Sequence, residues 1–193
     1  MKNILSQQII AYSHGKADHK LSHRDTWRFV KVNTQSSDSS ESYPSTLGQI
    51  EFGKMLSQEM KAIGFANVNI DSFGYVTGEV LATSTKNIPT IGFFSHMDTA
   101  LEASGENVVP QLHKNYDGGT LTISSVDKLT MSPKDFPELA KCKGHDIVTA
   151  SGNTLLGADN KAGIAIILTA MEHLIANPTI PHGTLKVAFT PDE

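Results

Sequence analysis

The sequence has one cysteine, Cys142, and no long apolar run among its 193 residues. A single cysteine cannot form an internal disulfide, which excludes the disulfide-stapled folds of small secreted proteins. A membrane-spanning helix is also excluded, because it needs about 20 consecutive apolar residues. Residues 1–21 lack the compact apolar stretch and the small-residue cleavage site of a secretory signal. We therefore expect a cytoplasmic protein without a membrane partner.

The sequence also lacks an excess of positive charge. Its 16 basic and 20 acidic residues give a net charge of -4 and are mixed along the chain. No basic stripe is available to neutralise phosphates, so we do not expect nucleic acid as a partner. Hydrophobic residues make up 39% of the chain, enough to bury a globular core. The length fits one domain, or part of a larger one, at roughly 100–200 residues per domain.

Two stretches with apolar residues at helical spacing predict helices. The first is predicted to be capped by the side chain of Ser45 or Thr46 and to run to Ile63, because Gly64 suits the left-handed position that ends a helix. The second spans Asn160–Ala176 and stops before an Asn-Pro pair that cannot continue it. The apolar faces of both helices are expected to pack on a sheet.

Short runs of apolar and β-branched residues predict strands around these helices. The predicted strands are Val68–Ile70, Tyr75–Leu81, Thr90–Phe94 and Thr184–Phe189. The third is apolar enough to be a buried, central strand that ends at polar residues. Together the elements predict an α/β fold whose functional residues follow the strand ends. Residues 1–24 are predicted to form an amino-terminal extension with a short helix.

Three groups of acidic or imidazole side chains follow a predicted strand or open a predicted helix. His96 and Asp98 point to the same side of the chain, so the carboxylate can bind one ring nitrogen and set the tautomer for metal binding. Asp159 opens the second helix, and Glu193 follows the last strand. Alone, each has a structural explanation as a surface pair, a helix cap or a solvated carboxylate. Their combination indicates a metal site.

Five segments match a known family in the same order along the chain. They are residues 29–37 (FVKVNTQSS), 43–49 (YPSTLGQ), 88–99 (IPTIGFFSHMDT), 155–165 (LLGADNKAGIA) and 181–193 (PHGTLKVAFTPDE). Through these segments the chain resembles the amino-terminal half of the peptidase T family of di-zinc exopeptidases, the tripeptide aminopeptidases. The five together are specific, whereas each one alone is not.

The resemblance implies a three-layer zinc-exopeptidase-like domain with a central mixed sheet flanked by helices, of which residues 25–193 form the first part. It also implies two Zn²⁺ ions bridged by an aspartate and a water, and release of the amino-terminal residue of tripeptides. By the same resemblance His96 binds one metal, Asp159 bridges both, Asp98 orients His96, and Glu193 is the general base and acid. Short peptides are then the expected substrates.

The sequence departs from the family pattern at Glu193. In the family a second glutamate follows at once and binds zinc, and a later aspartate and histidine complete the two metal shells. None of these three is present, and Asn160 stands where the family usually has a second aspartate. We therefore expect a fragment that is inactive alone. Its incomplete sheet would expose edges that self-association or a complementing chain could cover.

Two other functions stay open at this point. One is a non-catalytic binding or assembly module that keeps the fold, which the missing ligands favour. The other is a related di-zinc amidase acting on acylated amino acids, because substrate choice in the family depends on parts that the sequence does not contain. The GADNKAG and FTPDE forms of the motifs favour the peptidase T reading over the amidase.

Overall fold

The computed structural model describes residues 9–12 and 26–193. Contacts divide the chain into two compact units that alternate along the sequence. The first unit comprises the described residues up to Asn33 together with Ala100–Asp159, and the second comprises Thr34–Thr99 and Asn160–Glu193. No helix in the described ranges is long and apolar enough to cross a membrane. The boundary between an extension at 1–24 and a domain at 25–193 stays a prediction.

The secondary structure alternates between helices and short strands. In chain order the elements are β1 (Ile9–Tyr12), α1 (Leu47–Ile63), β2 (Ala66–Ile70), β3 (Val76–Val80), β4 (Ile91–His96), β5 (Gln111–His113), β6 (Leu121–Ser124), β7 (Leu129–Met131), a short 3-10 helix (Pro137–Cys142), β8 (Asp146–Thr149), α2 (Ala158–Ala176) and β9 (Leu185–Thr190). Both predicted helices and all four predicted strands are present, with shifts of one or two residues at their ends.

Helix α1 ends as predicted but begins differently. Gly64 has a φ of 106° and its N–H donates to the carbonyls of Met60 and Lys61, which closes the helix. Thr46 occupies the cap position without a side-chain cap bond, and its hydroxyl donates instead to the Gln35 carbonyl at 2.8 Å. The predicted side-chain cap is therefore wrong, because a tertiary acceptor takes the hydroxyl. The apolar face of α1 packs against β2 and β3.

Helix α2 begins two residues before the predicted start, so Asp159 lies in its first turn. The positive end of a helix favours a carboxylate there. Lys161 is almost fully buried, with its Nζ 5.6 Å from the centroid of the Phe52 ring on α1. Burial lowers the pKa of Lys161 to about 7. Ser95 at the end of β4 donates its hydroxyl to the Asn160 carbonyl at 3.1 Å, which links this strand to α2.

The second unit is built on a mixed four-stranded sheet in the order β2-β3-β9-β4. Strand β9 pairs antiparallel with β3 on one side and parallel with β4 on the other. Val187 and Phe189 of β9 are buried, as expected for the inner strand of a sheet. This arrangement supplies the mixed sheet that the sequence predicted.

The prediction that the third strand is central is wrong within the described residues. Strand β4 lies at the edge of the sheet, and the side chains of Ile91 and Phe94 are 52% and 73% exposed. An apolar run indicates that a strand is suited to a buried position. It does not indicate whether the same chain supplies a neighbouring strand. The expected exposure of a sheet edge and of apolar side chains is confirmed here.

The first unit holds a three-stranded antiparallel sheet, β1-β8-β5, and the separate hairpin β6-β7. Ile9–Tyr12 pair with Asp146–Thr149, so a strand replaces the short helix predicted in this region. Strand pairing with a distant segment overrides a weak local preference. Among the described residues of this unit, two apolar clusters lie in the core. One gathers Val30, Val108, Val148, Ala150 and Leu156, and the other Tyr116, Leu121, Ile123, Met131, Leu139 and Ile147.

Gly74 and Gly144 allow a matched test of packing, because both have a φ of 83°. A Cβ at Gly74 would lie 2.7 Å from Cγ of the Pro44 ring, whereas a Cβ at Gly144 would meet nothing within 4 Å. We expect Gly144→Ala to cost only the left-handed strain, about 1–2 kcal/mol. Gly74→Ala should cost more, since a rigid ring has to move.

The unfolding free energy of each variant is measured by urea unfolding, which is monitored through the amide resonances of the unit that carries the glycine. Equal losses of unfolding free energy in the two variants would contradict the packing argument for Gly74.

Candidate metal centre

The carboxyl ends of β4 and β9 meet at one end of the second unit's sheet. The two strands run parallel with His96 opposite Thr190, and the Met97 N–H donates to the Thr190 carbonyl at 2.7 Å. The residues that follow each strand are therefore neighbours. This pairing brings His96 and Asp98 together with Glu193, as residues at the carboxyl ends of adjacent parallel strands generally are.

These three side chains form a short chain of polar contacts. His96 Nδ1 lies 3.1 Å from the Asp98 carbonyl oxygen and 3.4 Å from Asp98 Oδ1. His96 Nε2 lies 3.2 Å from Glu193 Oε2. The Glu193 N–H donates to Asp98 Oδ1 at 3.1 Å. Asp98 thus contacts both the imidazole and the backbone of the residue that carries the second carboxylate.

Both nitrogens of the His96 ring face oxygen atoms of acidic residues. A carbonyl oxygen and a carboxylate oxygen can only accept, so Nδ1 carries the proton and donates. Nε2 then has a lone pair directed towards the Glu193 carboxylate. Two acceptors at this distance repel each other unless a proton or a metal cation lies on that side of the ring. Nε2 is therefore suited to bind a proton or a metal cation.

Asp98 is buried and ionised in this arrangement. Its side chain is 8% exposed. Burial alone would raise the pKa of Asp98. The hydrogen bonds from the His96 ring and the Glu193 N–H lower it by more than burial raises it, so the pKa falls below its ordinary value of 3.8. A carboxylate that stays charged can hold the imidazole in one orientation. Asp98 therefore contacts the His96 ring, and its orienting role stays a prediction.

Asp159, the fourth predicted site residue, is not described as part of this cluster. Asp159 belongs to the first unit and His96 to the second. Their shared ion therefore stays a prediction. Within the described residues, no group of three or more histidine, cysteine, aspartate or glutamate side chains is arranged to hold a metal.

The structure adds a second polar group that the sequence analysis did not single out. Gln49 of α1 is completely buried and contacts Asp192, the residue before Glu193. A signal for it existed in the sequence, because residue 49 lies on the same helical face as Phe52 and Leu56. A polar side chain on an apolar stripe requires a buried partner.

Sequence comparison finds relatives that are named peptidase T. Peptidase T of Bacillus cereus strain B4264 is 51% identical over 166 residues, which cover 86% of this chain and 40% of that protein. This chain is similar to the amino-terminal half of peptidase T. Peptidase T of Geobacillus kaustophilus is 55% identical over the same number of residues, again 40% of its length. The matched residues thus cover about 40% of the length of these relatives. No protein-family profile matches it.

Solved structures agree on the fold. Aminopeptidase PepT from Bacillus cereus ATCC 10987 superposes with a TM-score of 0.59 at 22% identity over 89% of this chain and 36% of that one. A tripeptidase from Staphylococcus aureus gives the same TM-score at 20% identity over 92% of this chain and 37% of its own. At these identities the superpositions establish the fold alone. The predicted zinc-exopeptidase-like α/β class, incomplete in this chain, is confirmed.

Asp98→Asn tests the ionised contact. Folding lowers the pKa of Asp98 below 3.8, so its carboxylate stabilises the folded chain above that pH and loses this contribution as the pH falls through the folded value. We expect the variant to be roughly 1–2 kcal/mol less stable at pH 7.

The difference from the unchanged chain should shrink below pH 3.8, where the carboxyl becomes protonated. Urea unfolding of the metal-free chain at several pH values, followed by β9 amide resonances, measures both quantities. A stability difference that does not vary with pH would rule out the charged contact.

Proposed function

We propose that the chain carries part of a di-zinc aminopeptidase site that releases the amino-terminal residue of tripeptides. The observation that carries this proposal is the arrangement of His96, with Nδ1 held by Asp98 and Nε2 facing Glu193. Similarity to peptidase T at 51% identity supports the same chemistry. Short peptides in the cytoplasm would be its substrates.

In this proposal His96 and Asp159 bind the metal, with Asp159 as the bridging ligand. Asp98 acts behind the imidazole. It holds the Nδ1 proton, keeps the Nε2 lone pair directed outwards and increases the basicity of the ring. Two zinc ions, when bound, would lower the pKa of a water molecule and polarise the scissile carbonyl. Orientation of the imidazole and transfer of the proton are proposed for side chains of the protein.

Glu193 is proposed as the general base and acid. Its carboxylate is 72% exposed and lies 3.2 Å from His96 Nε2, beside the metal side of the ring. A carboxylate that is not itself a ligand can take a proton from the attacking water and pass it to the leaving amine. Its exposure gives an incoming peptide access to it.

A non-catalytic binding or assembly module is the second candidate. It is favoured by the lack of a cluster of three metal-binding side chains in the described part of the chain. A catalytic zinc usually has three protein ligands and one open position. The proposed site therefore requires ligands in addition to those that the described residues bring together.

We expect residues 1–193 alone to show no appreciable aminopeptidase activity and to bind zinc weakly, because the metal shells are incomplete. The comparison is a chimera that continues from Glu193 into the matching remainder of Bacillus cereus peptidase T. Tripeptide cleavage is followed for both proteins with zinc or cobalt, and an acylated amino acid tests the amidase alternative. Turnover by the short chain near the rate of the chimera would refute the assignment of ligands.

Glu193→Gln in the chimera should lower kcat by about 10²–10⁴-fold, because the general base is removed. Zinc content should stay unchanged, since Glu193 is not proposed as a ligand. Glu51→Gln, at an exposed position on α1, is the matched control and should retain full activity. Loss of zinc from the Glu193 variant, measured by metal analysis, would show that its role is ligation.

A further inference from the structure

We propose that Asp192 is a positioning residue, which Gln49 and Ser45 lock in place so that the following Glu193 faces His96. This inference rests on the proposed function, in which Glu193 moves the proton. It concerns a set of contacts that is distinct from the imidazole and its carboxylates. We call these three residues, Ser45, Gln49 and Asp192, the turn clamp.

The turn after β9 has a backbone that needs such support. Asp192 has a φ of 47°, in the left-handed region that side chains other than glycine rarely adopt. Aspartate tolerates this region better than most residues, but it remains there only where surrounding contacts hold it. The chain at Asp192 therefore depends on its hydrogen bonds for its direction, and this direction decides where Glu193 points.

Three donors hold the Asp192 carboxylate. The Ser45 N–H donates to Oδ2 at 2.6 Å and the Ser45 hydroxyl to Oδ1 at 2.5 Å. Gln49 Nε2 donates to Oδ1 at 2.7 Å. Both carboxylate oxygens are therefore engaged by α1 and the residue before its cap. Because both oxygens already accept these hydrogen bonds, we infer that Asp192 positions Glu193 and takes no direct part in the reaction.

Gln49 also binds the backbone of Asp192. Its Oε1 accepts from the Asp192 N–H at 3.0 Å, so the side chain both donates to Asp192 and accepts from it. The amide orientation follows from the network, because only oxygen can accept from a backbone N–H and only nitrogen can donate to a carboxylate. Gln49 is completely buried, which leaves it little freedom to move.

The neighbouring residue is held as well. The Tyr43 hydroxyl donates to the Pro191 carbonyl at 3.3 Å and lies 3.0 Å from the Tyr75 hydroxyl. The backbone on the amino-terminal side of Glu193 is thus bound to the segment that precedes α1. Among the described residues, the Glu193 side chain is 72% exposed and contacts His96 Nε2. Its position depends on the backbone that the turn clamp holds.

A reciprocal exchange of side chains tests the turn clamp. Asp192→Asn replaces one acceptor oxygen by an amide nitrogen, so that in either amide orientation a donor of Ser45 or Gln49 meets another donor. Gln49→Glu places a carboxylate against the Asp192 carboxylate, so that two charges repel. In the double variant the new asparagine donates to the new glutamate, which still accepts from the backbone N–H of residue 192. The net charge of the double variant equals that of the unchanged chain.

Hydrogen exchange of the Glu193 amide in residues 1–193 reports on the turn without any assay of activity. That amide donates to Asp98 Oδ1, so it becomes unprotected when the turn moves. We expect faster exchange in each single variant and restored protection in the double variant. Ser45→Ala, a milder change, should also speed exchange, whereas Ser39→Ala in the same loop should not. Exchange at the unchanged rate in Asp192→Asn and Ser45→Ala would overturn the proposal.

Kinetics of the chimera distinguish positioning from a general structural role. We expect each single variant to lower kcat by about 10–100-fold, as loss of an outer contact typically does. KM and zinc content should hardly change, and the double variant should recover most of kcat. Equal losses in the single and double variants would overturn the proposal. An inactive chimera would refute the proposed function instead, and amide exchange would still decide whether the clamp exists.

Discussion

The parallel pairing of β4 with β9 is the contact on which the candidate site depends. Six consecutive residues of each strand are in register, from Ile91 opposite Leu185 to His96 opposite Thr190. A register shift of one residue would turn the His96 side chain to the other face of the sheet. This one alignment brings Glu193 to the imidazole of His96 and the carboxylate of Asp98, although Glu193 lies far from both in the sequence.

Local patterns explain why much of the fold could be predicted from the sequence. Helix α1 has an apolar stripe and a glycine at its end, and the strands of the second unit are short and rich in β-branched residues. These signals lie within a few residues of each other. The contact between His96 and Asp98 belongs to the same class, because the two residues are only two positions apart in the sequence.

Features that depend on distant partners could not be predicted in this way. Strand β1 exists through its pairing with β8, and the edge position of β4 follows from which strands are present to pair with it. The bond from Thr46 to the Gln35 carbonyl, in place of a helix cap, is likewise tertiary. Gln49 could be predicted in part. The sequence pattern places it on an apolar helical face, but it does not identify the partner at residue 192. The bridging role of Asp159 rests on similarity alone.

The order of strands in the second unit also has a consequence for synthesis on the ribosome. Strand β9 lies between β3 and β4 in the sheet, yet it follows both of them in the sequence. Until β9 has emerged from the exit tunnel, β3 and β4 have no common neighbour, and each presents an unpaired edge. At roughly 5–20 residues per second, this interval lasts several seconds. A nascent chain in this state is a natural client for chaperones that bind extended, apolar segments.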